Sequence, residues 1–184
     1  MKLKRRYERE VRVLSENPNA ALSSLSKQLE ELGQLDEAMS AALLVIRRRL
    51  EGGYMPIRDA AKLFRVKPWR VVEALSWLKK QGLYVKPKPE GVVSYLLNRM
   101  FILRDERELL MKEALSILEK VSGSTSRDPL GLAAAAIAIA SENHKMRLSR
   151  GFIAKAAGLS ESAVRSAKRF IERKLSSPKD VEDA

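Results

Sequence analysis

The side chains with most to offer chemically lie toward the C-terminal end of the chain. Between Glu142 and Leu175 nine Lys or Arg residues stand against three Glu. Lys145, Arg147 and Arg150 lead into a segment where Ser162, Arg165, Ser166, Lys168 and Arg169 recur at intervals of three and four. On a helix that spacing gathers guanidinium and hydroxyl groups onto neighbouring positions. Guanidinium forks match phosphate oxygens and the acceptors of a guanine edge, and serine hydroxyls reach either. Serine and arginine in the first half of such a helix suit base edges, while Arg169, Arg173 and Lys174 suit phosphates.

A looser copy of this chemistry sits earlier in the chain. Arg58, Lys62, Arg65, Lys67 and Arg70 surround a turn, and Arg47, Arg48 and Arg49 add a block upstream. Trp69 beside the turn is either packed in a core, the commoner fate of tryptophan, or exposed for protein contact together with Tyr54 and Met55. Trp77 is expected in the core. Lys2, Lys4, Arg5 and Arg6 fit both a phosphate-seeking arm and a merely polar start.

Composition narrows the rest. With Lys+Arg 35 against Asp+Glu 23 the formal net charge is +12, which draws the surface toward polyanions. A hydrophobic content of 45% is enough for a folded core. The 184 residues contain no cysteine, which excludes disulfides, thiolate metal sites and thiol nucleophiles within them. His144 is the one histidine, too few for an imidazole cluster or relay. Gly52, Gly53 and Gly131 lack the spacing and the lysine of a phosphate-cradling loop. Acidic residues are scattered about one helical step from a base, as on salt-laced surfaces. These features predict a non-enzymatic protein without cofactor or metal. Residues 1–14 interleave charge with apolar positions, unlike a signal peptide, and the apolar run from Leu130 to Ala140 is well short of the ~20 residues that span a bilayer. The expectation is a soluble, cytoplasmic protein with no membrane contact.

The elements that must position these residues read as helices throughout. Helical periodicity predicts segments over 3–15, 20–32, 36–50, 57–64, 68–80, 91–102, 105–121, a stretch following Asp128, 150–157 and 161–175. Gly33 ends the second, Glu51-Gly52-Gly53 closes the third, and Pro68 suits a first helical turn. Asp128 and Ser149 are candidate caps, and His144 falls in a turn. AMSAALLVI and LGLAAAAIAIA are apolar on all sides, as in helices surrounded by others. LYVKPKPEG favours extended chain and marks a boundary. The fold class is therefore all-α, with a first domain over 1–85, a linker over 86–90, a second domain over 91–176 and a tail over 177–184.

An internal repeat fixes the organisation further. Setting residue n against n+93 without a gap aligns Ala41-Ala42 with Ala134-Ala135, Ile46 with Ile139, Ala61-Lys62 with Ala154-Lys155, Val66 with Leu159, Val71 with Val164, Ala74 with Ala167, Trp77 with Phe170 and Leu78 with Ile171. This period is too long for a short-repeat solenoid and predicts two homologous five-helix domains. Each ends in helix, sharp turn, helix. In the second, Ala154 and Ala157 permit a close crossing, Gly158 makes the turn, Leu159 plugs the gap and Val164 faces inward, the requirements of a helix-turn-helix.

DPLGLAAAAIAIASENHKMRLSRGFIAKAAGLSESAVRSAKRFIERKL closely resembles the second cyclin-like repeat of the archaeal transcription initiation factor B family and its eukaryotic counterpart. The resemblance is carried by Pro129, Leu132 to Ala136, Lys145 to Arg147, Ile153-Ala154, Ala157 to Leu159 and Val164-Arg165. SYLLNRMFIL and ALSILEK look like the opening helices of the same repeat, and AALLVIRRRLEGG with IRDAAKLFRV carries a weaker likeness in the first. What the resemblance implies is two tandem cyclin-like repeats that bind double-stranded promoter DNA with TATA-binding protein, the second helix-turn-helix reading a purine-rich element. Ser162, Arg165, Ser166 and Arg169 would carry base and phosphate contacts, Lys145 and Arg147 backbone contacts, and the first repeat would meet DNA and RNA polymerase. The family's cysteine-ligated zinc ribbon has no counterpart in these cysteine-free residues, and alanine and serine dominate SESAVRSAKRF where the family has more DNA-facing polar groups. A paralogue that regulates initiation, a cyclin-like protein-interaction adaptor and an autonomous helix-turn-helix repressor remain the other readings.

Overall fold

The computed structural model of the protein describes residues 18–31, 33, 35–121 and 127–176. The expected helix over 3–15, the Lys2, Lys4, Arg5 and Arg6 group and the tail over 177–184 lie outside them. The described residues form nine helices and no strand. The chain divides into two compact units, one ending at Lys88 and the other beginning at Pro89.

Unit 1 contains α1 (Pro18–Glu31), α2 (Glu37–Leu50), α3 (Ile57–Leu63) and α4 (Pro68–Lys80). α2 is the hub, packed by α1, α3 and α4. It begins at Asp36, whose Oδ1 accepts from the Met39 amide at 2.7 Å, meeting one of the donors that a helix start leaves unpaired. The other oxygen, Oδ2, accepts from Arg70 Nη2 of α4 at 2.8 Å, so one carboxylate both starts α2 and ties it to α4. Ala41, Ala42, Val45 and Ile46 of α2 join Ala60 and Ala61 of α3 and Val71 and Leu78 of α4 in a buried apolar core. Trp77 is partly buried at its margin.

Unit 2 contains α5 (Pro89–Asn98), α6 (Arg104–Val121), α7 (Pro129–Asn143), α8 (Arg150–Ala157) and α9 (Glu161–Ser176). The other four all pack on α7. Every residue from Leu130 to Ser141 is buried, and the six alanines among them carry only a methyl group, so neighbouring helices approach the backbone closely. Asp128 caps α7 by accepting from the Gly131 amide at 3.0 Å, and Pro129 fills the first helical position. The expected helix over 91–102 instead spans Pro89–Asn98. The amides of Arg99 and Met100 turn back to Leu96 and Leu97, and the apolar residues 101–103 continue the sequence pattern but not the helix.

At an offset of 93 residues, α2, α3 and α4 fall on α7, α8 and α9. The backbone repeats in the turns as well. Gly52 and Lys145 both adopt a left-handed conformation, φ 78° and 54°, and so do Arg65 and Gly158, φ 54° and 64°. Gly53 donates to Arg48 and Met146 to Ser141, each at 2.8 Å, and Val66 donates to Ala61 and Leu159 to Ala154, each at 2.9 Å. Every one of these partners stands at the same offset.

Candidate nucleic-acid interface

The α8–α9 pair is locked locally before it packs. Ser149 Oγ accepts from the Phe152 amide at 3.1 Å and starts α8. Gly158 ends it in the left-handed region, where a residue without Cβ is at ease. Ser160 Oγ then accepts from the Ala163 amide at 3.2 Å and lies 2.9 Å from Ser162 Oγ, starting α9. Gly151 of α8 allows the Glu161 carboxylate to approach, since a Cβ there would meet its Oε1 at 2.7 Å.

α9 turns Val164, Ala167 and Ile171 into the core, and Ser162, Arg165, Ser166, Arg169 and Arg173 outward. Arg165 and Arg169 are exposed and form no ion pair with any described residue. Arg127 approaches the same face from the start of α7, its Nη1 3.5 Å from Ser166 Oγ and its guanidinium 4.6 Å from the centre of the Phe170 ring. Sequence reasoning passed over Arg127, because only the folded arrangement brings it to α9. Lys145 and Arg147 are exposed in the α7–α8 turn, and Arg150 is exposed at the first position of α8.

Lys168 does not share the open face. Its side chain is 15% exposed and its Nζ is held by Glu142 at 2.5 Å and Glu172 at 3.6 Å. His144 caps the end of α7 and its ring pairs with Glu113 of α6.

The earlier cations are dispersed by comparison. Arg47 pairs with Glu51 at 2.9 Å and Arg48 with the same carboxylate at 3.5 Å. Arg49 is partly buried and donates to the Val85 carbonyl at 3.1 Å. Burial lowers its guanidinium from the ordinary value, with Tyr54 and Tyr84 pulling the other way. Arg70 is taken by Asp36. Arg58, Lys62, Arg65 and Lys67 remain exposed. Met55 packs on the unit 1 core and Tyr54 is partly buried, whereas Trp69 is 55% exposed.

Among the described residues no cluster of His, Asp or Glu is suited to a metal ion, and no helix is long and apolar enough to cross a membrane. No family model matches the chain. Over 69 residues it is 43% identical to transcription initiation factor IIB of Saccharolobus shibatae, a match covering 36% of this chain and 22% of that protein. Transcription initiation factor IIB 1 of Saccharolobus solfataricus matches over the same length at the same identity. The matched stretch is thus about a fifth of the length of these relatives.

Proposed function

We propose that the chain is a DNA-binding transcription initiation factor, similar in role to factor IIB, that binds promoter DNA together with TATA-binding protein. Its two units are then tandem cyclin-like repeats, and the chemistry is recognition without catalysis. The observation that carries this reading is the outward face of α9, where Arg165 and Arg169 stand exposed on a helix pinned by Ser160 and Gly158. A recognition helix whose start is already fixed loses little backbone freedom on entering a major groove. Ser162, Arg165 and Ser166 sit at its entering end and read base edges, each good contact discriminating by about 1–3 kcal/mol. Arg169, Arg150, Arg147 and Lys145 hold phosphates and set the register. The partial identity to the Saccharolobus factors supports the initiation setting, and polymerase is the further partner expected there.

A quantitative mobility shift tests this reading, using a TATA-containing promoter fragment with and without TATA-binding protein at two salt concentrations. The expected result is a complex that depends on TATA-binding protein and weakens steeply as salt rises. Equal binding without that protein would identify an autonomous DNA binder, and no binding at either salt would overturn the assignment.

A further inference from the structure

Unit 2 carries an aromatic knob beside an apolar groove. After α5 the chain alternates, with Met100 buried, Phe101 fully exposed, Ile102 half-buried and Leu103 73% exposed. A phenyl ring left wholly in water forgoes one of the largest apolar gains open to a side chain and adds nothing to the packing of its own unit.

The groove lies next to it. Leu97 and Asn98 of α5 and Arg107, Glu108, Met111 and Lys112 of α6 line an open space of about 280 Å³. That is room for a phenyl group, since a cavity of about 150 Å³ holds benzene. Its walls suit an aromatic ring in particular, because the Met111 thioether and the Arg107 guanidinium are both groups that ring faces and edges attract. Arg107 Nη1 donates to Asn98 Oδ1 at 3.2 Å, but its Nε is buried and meets no acceptor among the described residues. A buried N–H left unpaired is costly, and the backbone carbonyls of an entering loop would meet it. The Arg99 and Met100 amides, bonded to Leu96 and Leu97, and the buried Met100 side chain hold Phe101 outside the groove of its own chain.

We infer that Phe101 seats in the α5–α6 groove of a second copy of this chain, whose own Phe101 seats in return, giving a two-fold dimer through unit 2. A two-fold contact requires knob and hole on the same surface, and unit 2 presents them side by side. The flanking charges match this occupant. Arg104, Asp105, Glu106 and Glu108 are exposed with both signs present, and Arg104 already pairs with Glu108 at 3.1 Å. A two-fold axis sets such a mixed run against itself reversed, so bases meet acids, whereas a polyanion would be repelled by the three carboxylates. The contact is small and belongs with transient associations rather than obligate dimers. It uses none of the α9 residues assigned to DNA and holds whether or not α9 meets DNA.

Sedimentation equilibrium of the full chain tests this at about 0.5 M salt, where bridging nucleic acid is released. The average mass is expected to rise from one chain toward two as concentration rises. Phe101→Ala should weaken association about tenfold or more, Arg107→Gln should weaken it from the other side of the contact, and Arg165→Glu should leave it unchanged. An equimolar mixture of the Phe101→Ala and Arg107→Gln chains should associate more tightly than either alone, because one native knob then meets one native groove. A merely structural effect would not be rescued by mixing. Far-ultraviolet circular dichroism verifies that the helices persist, and Lys112→Trp, which fills the groove from an exposed position, replaces Arg107→Gln if that chain unfolds. With p-benzoylphenylalanine in place of Phe101, light should join one copy to residues 94–112 of another in a mixture of isotopically light and heavy chains. The proposal is overturned by the mass of one chain at every concentration, by indifference to Phe101→Ala, by no rescue in the mixture, or by cross-links confined to a single chain.

Discussion

Arg65 and Gly158 occupy the same turn of two matching helix pairs, both left-handed, and the residue after each donates its amide to an alanine five positions back at 2.9 Å. One of them has a Cβ where that conformation disfavours it. Gly158→Ala should therefore destabilise the protein by about 1–2 kcal/mol. Arg65→Gly should stabilise it by about 0.5–1 kcal/mol, the relief of strain being partly offset by the freer unfolded chain. Urea denaturation followed by circular dichroism gives both values, and changes of the same sign would refute the shared conformation.

Arg165→Glu and Arg169→Glu should each lower DNA affinity about tenfold or more and make the dependence on salt shallower. Fluorescence anisotropy with a labelled promoter duplex measures both. An affinity unchanged across the salt range would remove α9 from the interface.

Lys168→Gln is expected to behave differently from its neighbours. Because Glu142 and Glu172 hold its ammonium group, DNA affinity should change less than about twofold while stability falls by no more than about 1 kcal/mol, as for a partly exposed ion pair. Parallel binding and denaturation curves separate it from Arg169.

Asp36→Ala removes both a helix cap and the partner of Arg70, so a loss of about 1–2 kcal/mol is expected. Arg70→Ala should cost less than half of that, since it leaves the cap intact. Equal losses in the two variants would assign the whole effect to the ion pair.

Ala135→Leu places a larger side chain into a helix with no free side and should destabilise unit 2 by about 3 kcal/mol or prevent its folding. Ala163→Leu, on the exposed face of α9, serves as the tolerant counterpart. Thermal unfolding distinguishes them.

What the sequence made legible was local. The caps at Asp128 and Ser149 and the turns at Gly33, Gly52 and Gly158 follow from side chains acting on their own backbone within a few residues. α5 stops at Asn98 although Phe101, Ile102 and Leu103 prolong the apolar pattern, because burial does not enforce that pattern, Phe101 being fully exposed. Lys168 and Arg49 stand in basic runs like their neighbours, and only contacts with Glu142 and Val85, distant in the chain, withdraw them. The 55% exposure of Trp69 runs against the commoner fate of tryptophan, which in an amphipathic helix more often serves a core. Arg127 reaches Ser166 and Phe170 across 39 and 43 positions of chain, beyond any periodicity.

A helix that is apolar around its whole circumference, as α7 is, has no stable existence in water apart from the helices that cover it. Because α9 is one of those covers, detaching it would expose a side of α7, and the two should exchange their amide hydrogens at closely similar rates. Any ligand held by α9 would then slow exchange in α7, at amides that the ligand never touches.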